Sequence, residues 1–143
     1  MLVAGGRGSY DNRAMPNTSK VLLTLGALAA LLAVALGAFG AHALKARLSE
    51  EMLSVWKTAV DYQFYHALGL LALGLLALHF PGSRLLAWSG SFMAAGVIVF
   101  SGSLYALALT GARWFGLVTP FGGVALILAW ALLIAALLGR GSG

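Results

Sequence analysis

The sequence predicts an all-α, polytopic membrane protein: four transmembrane helices in a compact bundle, with an interfacial amphipathic segment between the first and second. Three observations predict it. Apolar runs at 21–43, 59–80, 85–110 and 117–138 take up nearly all of the 143 residues. Each reaches the ~20 residues with which an α-helix crosses ~30 Å of hydrocarbon. Hydrophobic residues make up 61% of the chain and charged residues 9%, with a mean hydropathy of +0.94, where a soluble domain carries about 25% charged residues. The runs are long and rich in Leu and Ala. In lipid the backbone must satisfy its own hydrogen bonds, so such runs are helices and not the short alternating strands of a barrel.

The elements follow in order. Residues 1–19 are polar and rich in Gly, Asn and Ser, which predicts a disordered N-terminal extension, with Met15 as an alternative start. Residues 20–139 form one four-helix transmembrane domain, and 140–143 a C-terminal tail. In the first helix, Gly26/Ala30, Ala33/Gly37 and Gly37/Ala41 are small pairs at i,i+4, and Gly40 adds to them. Such spacing lets a second helix approach closely in lipid. Ala41-His42-Ala43 has the form of a signal-peptidase site, but the apolar stretch before it exceeds the 7–15 residues of a signal peptide. The first helix is therefore expected to stay uncleaved.

In Lys45–Thr58, Leu48, Met52, Val55, Trp56 and Ala59 fall at amphipathic spacing. Ser49 suits an N-cap, and Glu50 and Glu51 suit the first turn. The segment is expected at the interface, feeding a second helix that either protrudes or bends near Asp61. Pro81-Gly82-Ser83-Arg84 is a turn. The third helix runs to about Thr110. Trp114 sits in the last loop like an interfacial anchor. Thr119-Pro120 reads as N-cap and first position of the fourth helix, which Gly139 ends.

Four crossings put both termini on one side. That side holds Arg7, Arg13, Lys20, Arg84 and Arg140, and the other Lys45, Arg47, Lys57 and Arg113. Five cations against four encode orientation weakly. The three before the first helix favour termini inside, and dual topology stays open.

The net charge of +5 is scattered over loops and termini, with no nucleic-acid motif. No cysteine is present, so disulfides, thiolate metal sites and cysteine catalysis are excluded. No nucleophile elbow, Walker loop or dinucleotide fingerprint appears. No catalytic residue, metal ligand set or cofactor is predicted.

Polar groups in a membrane are costly, and they are where function is sought. The densest cluster lies on the second helix: Lys57, Asp61, Tyr62, Gln63, Tyr65 and His66. His42 ends the first helix, so in an antiparallel pair His42 and His66 are expected near the same membrane face. A second cluster, Ser101, Ser103 and Tyr105, lies on the third helix. Together these residues read as an interhelical polar lock, a proton or ligand site, or a His-His metal or haem site. His79 is about 20 Å further along its helix than His66 and cannot join that site.

Four ordered motifs carry a family resemblance. They are Gly37–Lys45, Trp56–Gly69, Phe100–Tyr105 and Thr119–Gly123. The chain resembles the YgdD-like family of small membrane proteins, a family of unknown function with bacterial and mitochondrial members. The resemblance covers about residues 20–139 and implies four membrane helices in a bacterial inner membrane. It brings no activity, substrate or catalytic residue, and the 1–19 extension departs from the family pattern.

Three functions follow as alternatives. One is a non-enzymatic packing or accessory subunit in the lipid bilayer, partnered by itself or by another membrane protein. Another is a transporter or channel for a small solute or proton, gated by His42, Asp61, Tyr62 and His66. The third is a haem- or quinone-binding protein.

Overall fold

A computed structural model describes residues 15–139. Residues 1–14 and the tail at 140–143 lie outside the described residues. Among the described residues there are four α-helices and no strand: α1, Asn17–Phe39; α2, Glu50–His79; α3, Arg84–Thr110; α4, Trp114–Leu138. All four are long and apolar enough to cross a membrane.

Local chemistry sets most helix ends. Ser49 Oγ accepts the Met52 N–H at 3.2 Å, and Glu50 and Glu51 follow in the first turn of α2. Ser83 caps α3 through the Leu86 N–H at 3.5 Å. Gly111, at φ +69°, ends α3 in the left-handed conformation that glycine adopts without strain, and its N–H returns to the Leu107 carbonyl.

Three boundaries differ from the sequence expectation. α1 begins at Asn17, inside the segment expected to be disordered to residue 19. It also continues past Phe39 as a π-turn, Gly40–Leu44. The amphipathic segment feeds the second helix as expected, but only from its cap onward: Lys45–Ser49 is a turn, and Glu50–Thr58 forms the first turns of an unbroken α2. Its apolar residues face protein, since Trp56 is buried while Leu48 and Val55 pack against it. Finally, Thr119-Pro120 does not start α4. The helix begins at Trp114, and Pro120 lies inside it. Bonds from Phe115 N–H to the Ala112 carbonyl and from Gly116 N–H to the Arg113 carbonyl wind the first turn. The N–H that Pro120 lacks is tolerated in a membrane helix, where side chains and neighbours satisfy freed backbone groups. Thr119 Oγ1 donates one turn back, to the Phe115 carbonyl at 3.2 Å.

Consecutive helices pack on one another. α1 lies on α2, α2 on α3 and α3 on α4, while α1 meets α3 only lightly and does not meet α4. The bundle is thus an open row and not a closed square. Glycines set the closest approaches. A Cβ on Gly26 would stand 2.9 Å from both the Ala67 carbonyl and the Leu71 nitrogen of α2. A Cβ on Gly122 of α4 would strike the backbone of Phe100 in α3. The small residues of α1 are therefore spent inside the molecule: Gly26 on Ala67 and Leu71, Gly37 on Val60, Gly40 on Trp56. Ala33 is buried, Ala30 half-buried and Ala41 exposed.

The apolar interior falls into two clusters. The larger, around Leu70, Leu73, Leu86, Met93, Val97 and Leu126, joins all four helices through Leu22 of α1. The smaller gathers Leu44, Trp56 and Ala108 at the loop end.

Candidate functional site: a polar belt between the helices

Polar side chains link the helices in neighbouring pairs. On α2, the Trp56 indole Nε1–H donates to the Leu36 carbonyl of α1 at 2.9 Å. Two turns on, Gln63 Nε2 donates to the Ala29 carbonyl of α1 at 2.9 Å. The Gln63 Oε1 accepts the Tyr105 hydroxyl of α3, also at 2.9 Å. A single buried amide thus ties three helices together. Ser101 Oγ of α3 donates to the Ala59 carbonyl of α2 at 2.9 Å.

Between α3 and α4, Ser89 Oγ donates to the Ala129 carbonyl at 2.7 Å. The Ser103 and Thr119 hydroxyls lie 2.8 Å apart, and the Phe100 carbonyl, 2.9 Å from Ser103 Oγ, is the alternative acceptor for the single Ser103 proton. Most of these bonds between helices end on a backbone carbonyl of the neighbour. A carbonyl has two lone pairs, so it can accept a side chain without giving up its own helix bond. The Trp56 and Tyr105 rings pack at 4.6 Å beside the belt.

The residues expected to form a site are partly brought together and partly separated. Gln63, Tyr105 and Ser101 meet. His42 and His66 do not. The bonds to Leu36 and Ala29 fix the antiparallel register of α1 and α2, which sets His66 near the level of Gly26–Ala29. His42 lies thirteen or more residues along α1 from that level, which is about 20 Å of helix rise. His42 is exposed on the π-turn. Asp61 pairs with Lys57 of its own helix at 2.5 Å, and Lys57 points outward. Tyr62 and Tyr65 are exposed.

His66 is buried at the middle of α2. Its Nδ1 lies 2.7 Å from the Tyr62 carbonyl. A carbonyl only accepts, so in this contact Nδ1 is the donor. The ring stacks near Tyr62 at 5.9 Å and meets Trp130 of α4 at 6.1 Å with the planes tilted by 59°. No group of three or more His, Cys, Asp or Glu converges among the described residues.

Sequence reading missed four participants. Trp56 reads as apolar, yet its N–H is a principal clamp between α1 and α2. Thr119 reads as a helix cap and not as a bond to α3, and Ser89 stands outside both polar clusters. Ser19 is fully buried, and its hydroxyl has no hydrogen-bond partner among the described residues. A Ser followed by Gly in an apolar run, as at Ser89-Gly90, is the one signal that points to close packing.

A cleft of about 420 Å³ opens between α1 and α3 where they splay apart. Leu25, Leu28, Leu32 and Ile98 form its walls, and Gln63, Ser101 and Tyr105 form its floor. The floor groups are bonded to one another and to carbonyls, so the cleft is an apolar notch over a closed polar belt.

The family model for a protein of unknown function, DUF423, matches residues 36–123. That span contains Trp56, Gln63, Ser101, Tyr105 and Thr119. The chain belongs to the DUF423 family. This DUF423 member is 48% identical over 119 residues to a UPF0382 membrane protein of Staphylococcus epidermidis, covering 83% of this chain and 96% of that one. It is 47% identical over 117 residues to the UPF0382 membrane protein YwdK of Bacillus subtilis, covering 82% and 95%. A UPF0382 membrane protein of Staphylococcus saprophyticus is 50% identical over 115 residues, covering 80% and 94%. No solved structure matches the chain. With relatives named as membrane proteins and four helices able to span, this DUF423 member is a multi-pass protein of a bacterial membrane.

Proposed function

We propose that this DUF423 protein is a non-enzymatic packing or accessory subunit, acting in the bilayer through a second copy or another membrane protein. The observation that carries the reading is the closed polar belt. Gln63, Tyr105, Ser101 and Trp56 are spent on holding helices, and where they line clefts their polar atoms are already bonded. Interhelical hydrogen bonds are the expected use of such groups in lipid. The residues expected to gate transport stand apart, with His42 about 20 Å from His66 along the helix pair. The open row supports a partner surface. α4 shows Leu117, Phe121, Ile127 and Leu138 on its outer side, each more than two-thirds exposed. The motif order that resembles the YgdD-like proteins supports placing the chain with them.

The test is purification into native lipid nanodiscs, followed by mass measurement of the protein component. The expected species is heavier than the 14.8 kDa monomer. A lone monomer at every lipid ratio removes the subunit reading. Proteoliposomes with an internal pH dye should leak no faster than empty vesicles. A proton flux that Gln63→Leu or His66→Gln abolishes establishes the transport alternative instead.

A further inference from the structure

A second cleft of about 420 Å³ lies at the loop end, against the π-turn and the first turns of α2. Gly37, Gly40, Leu53, Trp56 and Val60 line its apolar part. Lys45 and Lys57 line its rim, with Asp61 as the one carboxylate. We propose that this cleft binds an anionic phospholipid, with one acyl chain in the groove and the headgroup phosphate on the two lysines. The proposal is independent of the accessory-subunit reading.

Three features argue for that occupant. The first is shape and polarity. The wall has almost no polar surface, because the Trp56 N–H is turned away to the Leu36 carbonyl. Gly40 leaves room for the indole, since a Cβ there would stand 2.5 Å from Nε1. The π-turn carries Gly40 and Ala41 along the groove, and such turns often mark functional positions in helices.

The second feature is charge. Two lysines and one carboxylate line the cleft, so its charge is net positive. Lys57 gives one N–H to Asp61 and keeps two. Lys45 is exposed. The third is depth. α2 rises about 45 Å, beyond the ~30 Å hydrocarbon core, so its first turns can reach the headgroup layer. Lysine stems lie along apolar surface there and lift their charge to the phosphates. An apolar groove with a cationic rim at that depth matches a lipid better than a water-soluble anion.

The experiment is native mass spectrometry of the full chain in mixed micelles, titrated with dioleoylphosphatidylglycerol or dioleoylphosphatidylcholine. One phosphatidylglycerol should be retained at concentrations where phosphatidylcholine is lost. Lys45→Gln should weaken phosphatidylglycerol about fivefold, and Lys45→Arg should restore it. Ala41→Leu, which crowds the groove from an exposed position, should weaken both lipids alike. Melting in micelles without added phospholipid should be unchanged for all three variants. Equal retention of both lipids, or full phosphatidylglycerol binding by Lys45→Gln, overturns the proposal. So does displacement of the lipid by inorganic phosphate, which would make the rim a site for the free ion.

Discussion

Gln63 sets positions on three helices with one amide, so it is the residue whose loss should be felt most. Gln63→Leu keeps the volume but removes both bonds and leaves the Tyr105 hydroxyl without its acceptor. Interhelical bonds in membranes average about 0.6 kcal/mol, and an orphaned buried group costs about 1–3 kcal/mol. The expected loss is about 1–3 kcal/mol, read by unfolding in bicelles. A double variant with Tyr105→Phe should lose less than the sum of the two single changes, because both act on one bond. His66→Gln should behave differently. The ring's hydrogen bond closes on its own helix, so the change should stay within about 0.5 kcal/mol. A loss well beyond that would show that Nε2 has a partner. Both residues stand in the same sequence cluster, and nothing in the spacing separates a three-helix clamp from a residue bonded to its own turn. That difference depends on which way the face of α2 is turned.

At the scale of the element, caps were legible and the start of α4 was not. Ser49 followed by two acids is a local signal, read by backbone groups a turn away. Ser49→Ala should lower stability by about 1 kcal/mol in the same unfolding assay. Thr119-Pro120 carries a signal of equal strength that the structure does not use. The Gly111 turn and the bonds to Ala112 and Arg113 carry the chain directly into helix at Trp114. Thr119 is then free to bond Ser103 across to α3. Pro120→Ala should restore a backbone bond to Gly116 without disturbing Thr119. We expect α4 to be stabilised, with a rise in melting temperature. A fall instead would mean that the proline-shaped backbone is what seats Gly122 on Phe100. The amphipathic stretch also shows a limit of periodicity. The spacing of Leu48, Val55 and Trp56 marks an apolar face correctly, but lipid and protein are equally apolar to that pattern.

For the whole molecule, four spans require both termini on one side of the membrane. Reporters fused ahead of Asn17 and after Leu138 should report one compartment. Opposite compartments in a uniform population would contradict four crossings, while mixed signals at both sites would establish dual topology. The row of helices, with α1 and α4 apart, leaves the two terminal helices least covered. Local opening should therefore begin there. In detergent that disperses the protein to monomers, hydrogen exchange should be faster in α1 and α4 than in α2 and α3. In native nanodiscs the subunit reading expects that difference to shrink, and an unchanged difference there would count against a partner on the outer faces.

The sequence by itself determined the solvent, the number of spans, the capped start of α2 and the turn after it. These follow from hydrocarbon thickness and from backbone groups that must be satisfied within a few residues. It also marked the polar cluster around Gln63 and His66, because polar groups in lipid are too costly to be there without use. Only the tertiary structure decided which groups are partners. The register of α1 against α2 is set by Gly26, Gly37 and Gly40 meeting particular surfaces and by two carbonyls, at Leu36 and Ala29. That register separates His42 from His66, brings Tyr105 to Gln63, and leaves Lys45 and Lys57 at the rim of one groove. No periodicity encodes it, since a shift of one turn would preserve the apolar pattern of every helix and break every bond between them.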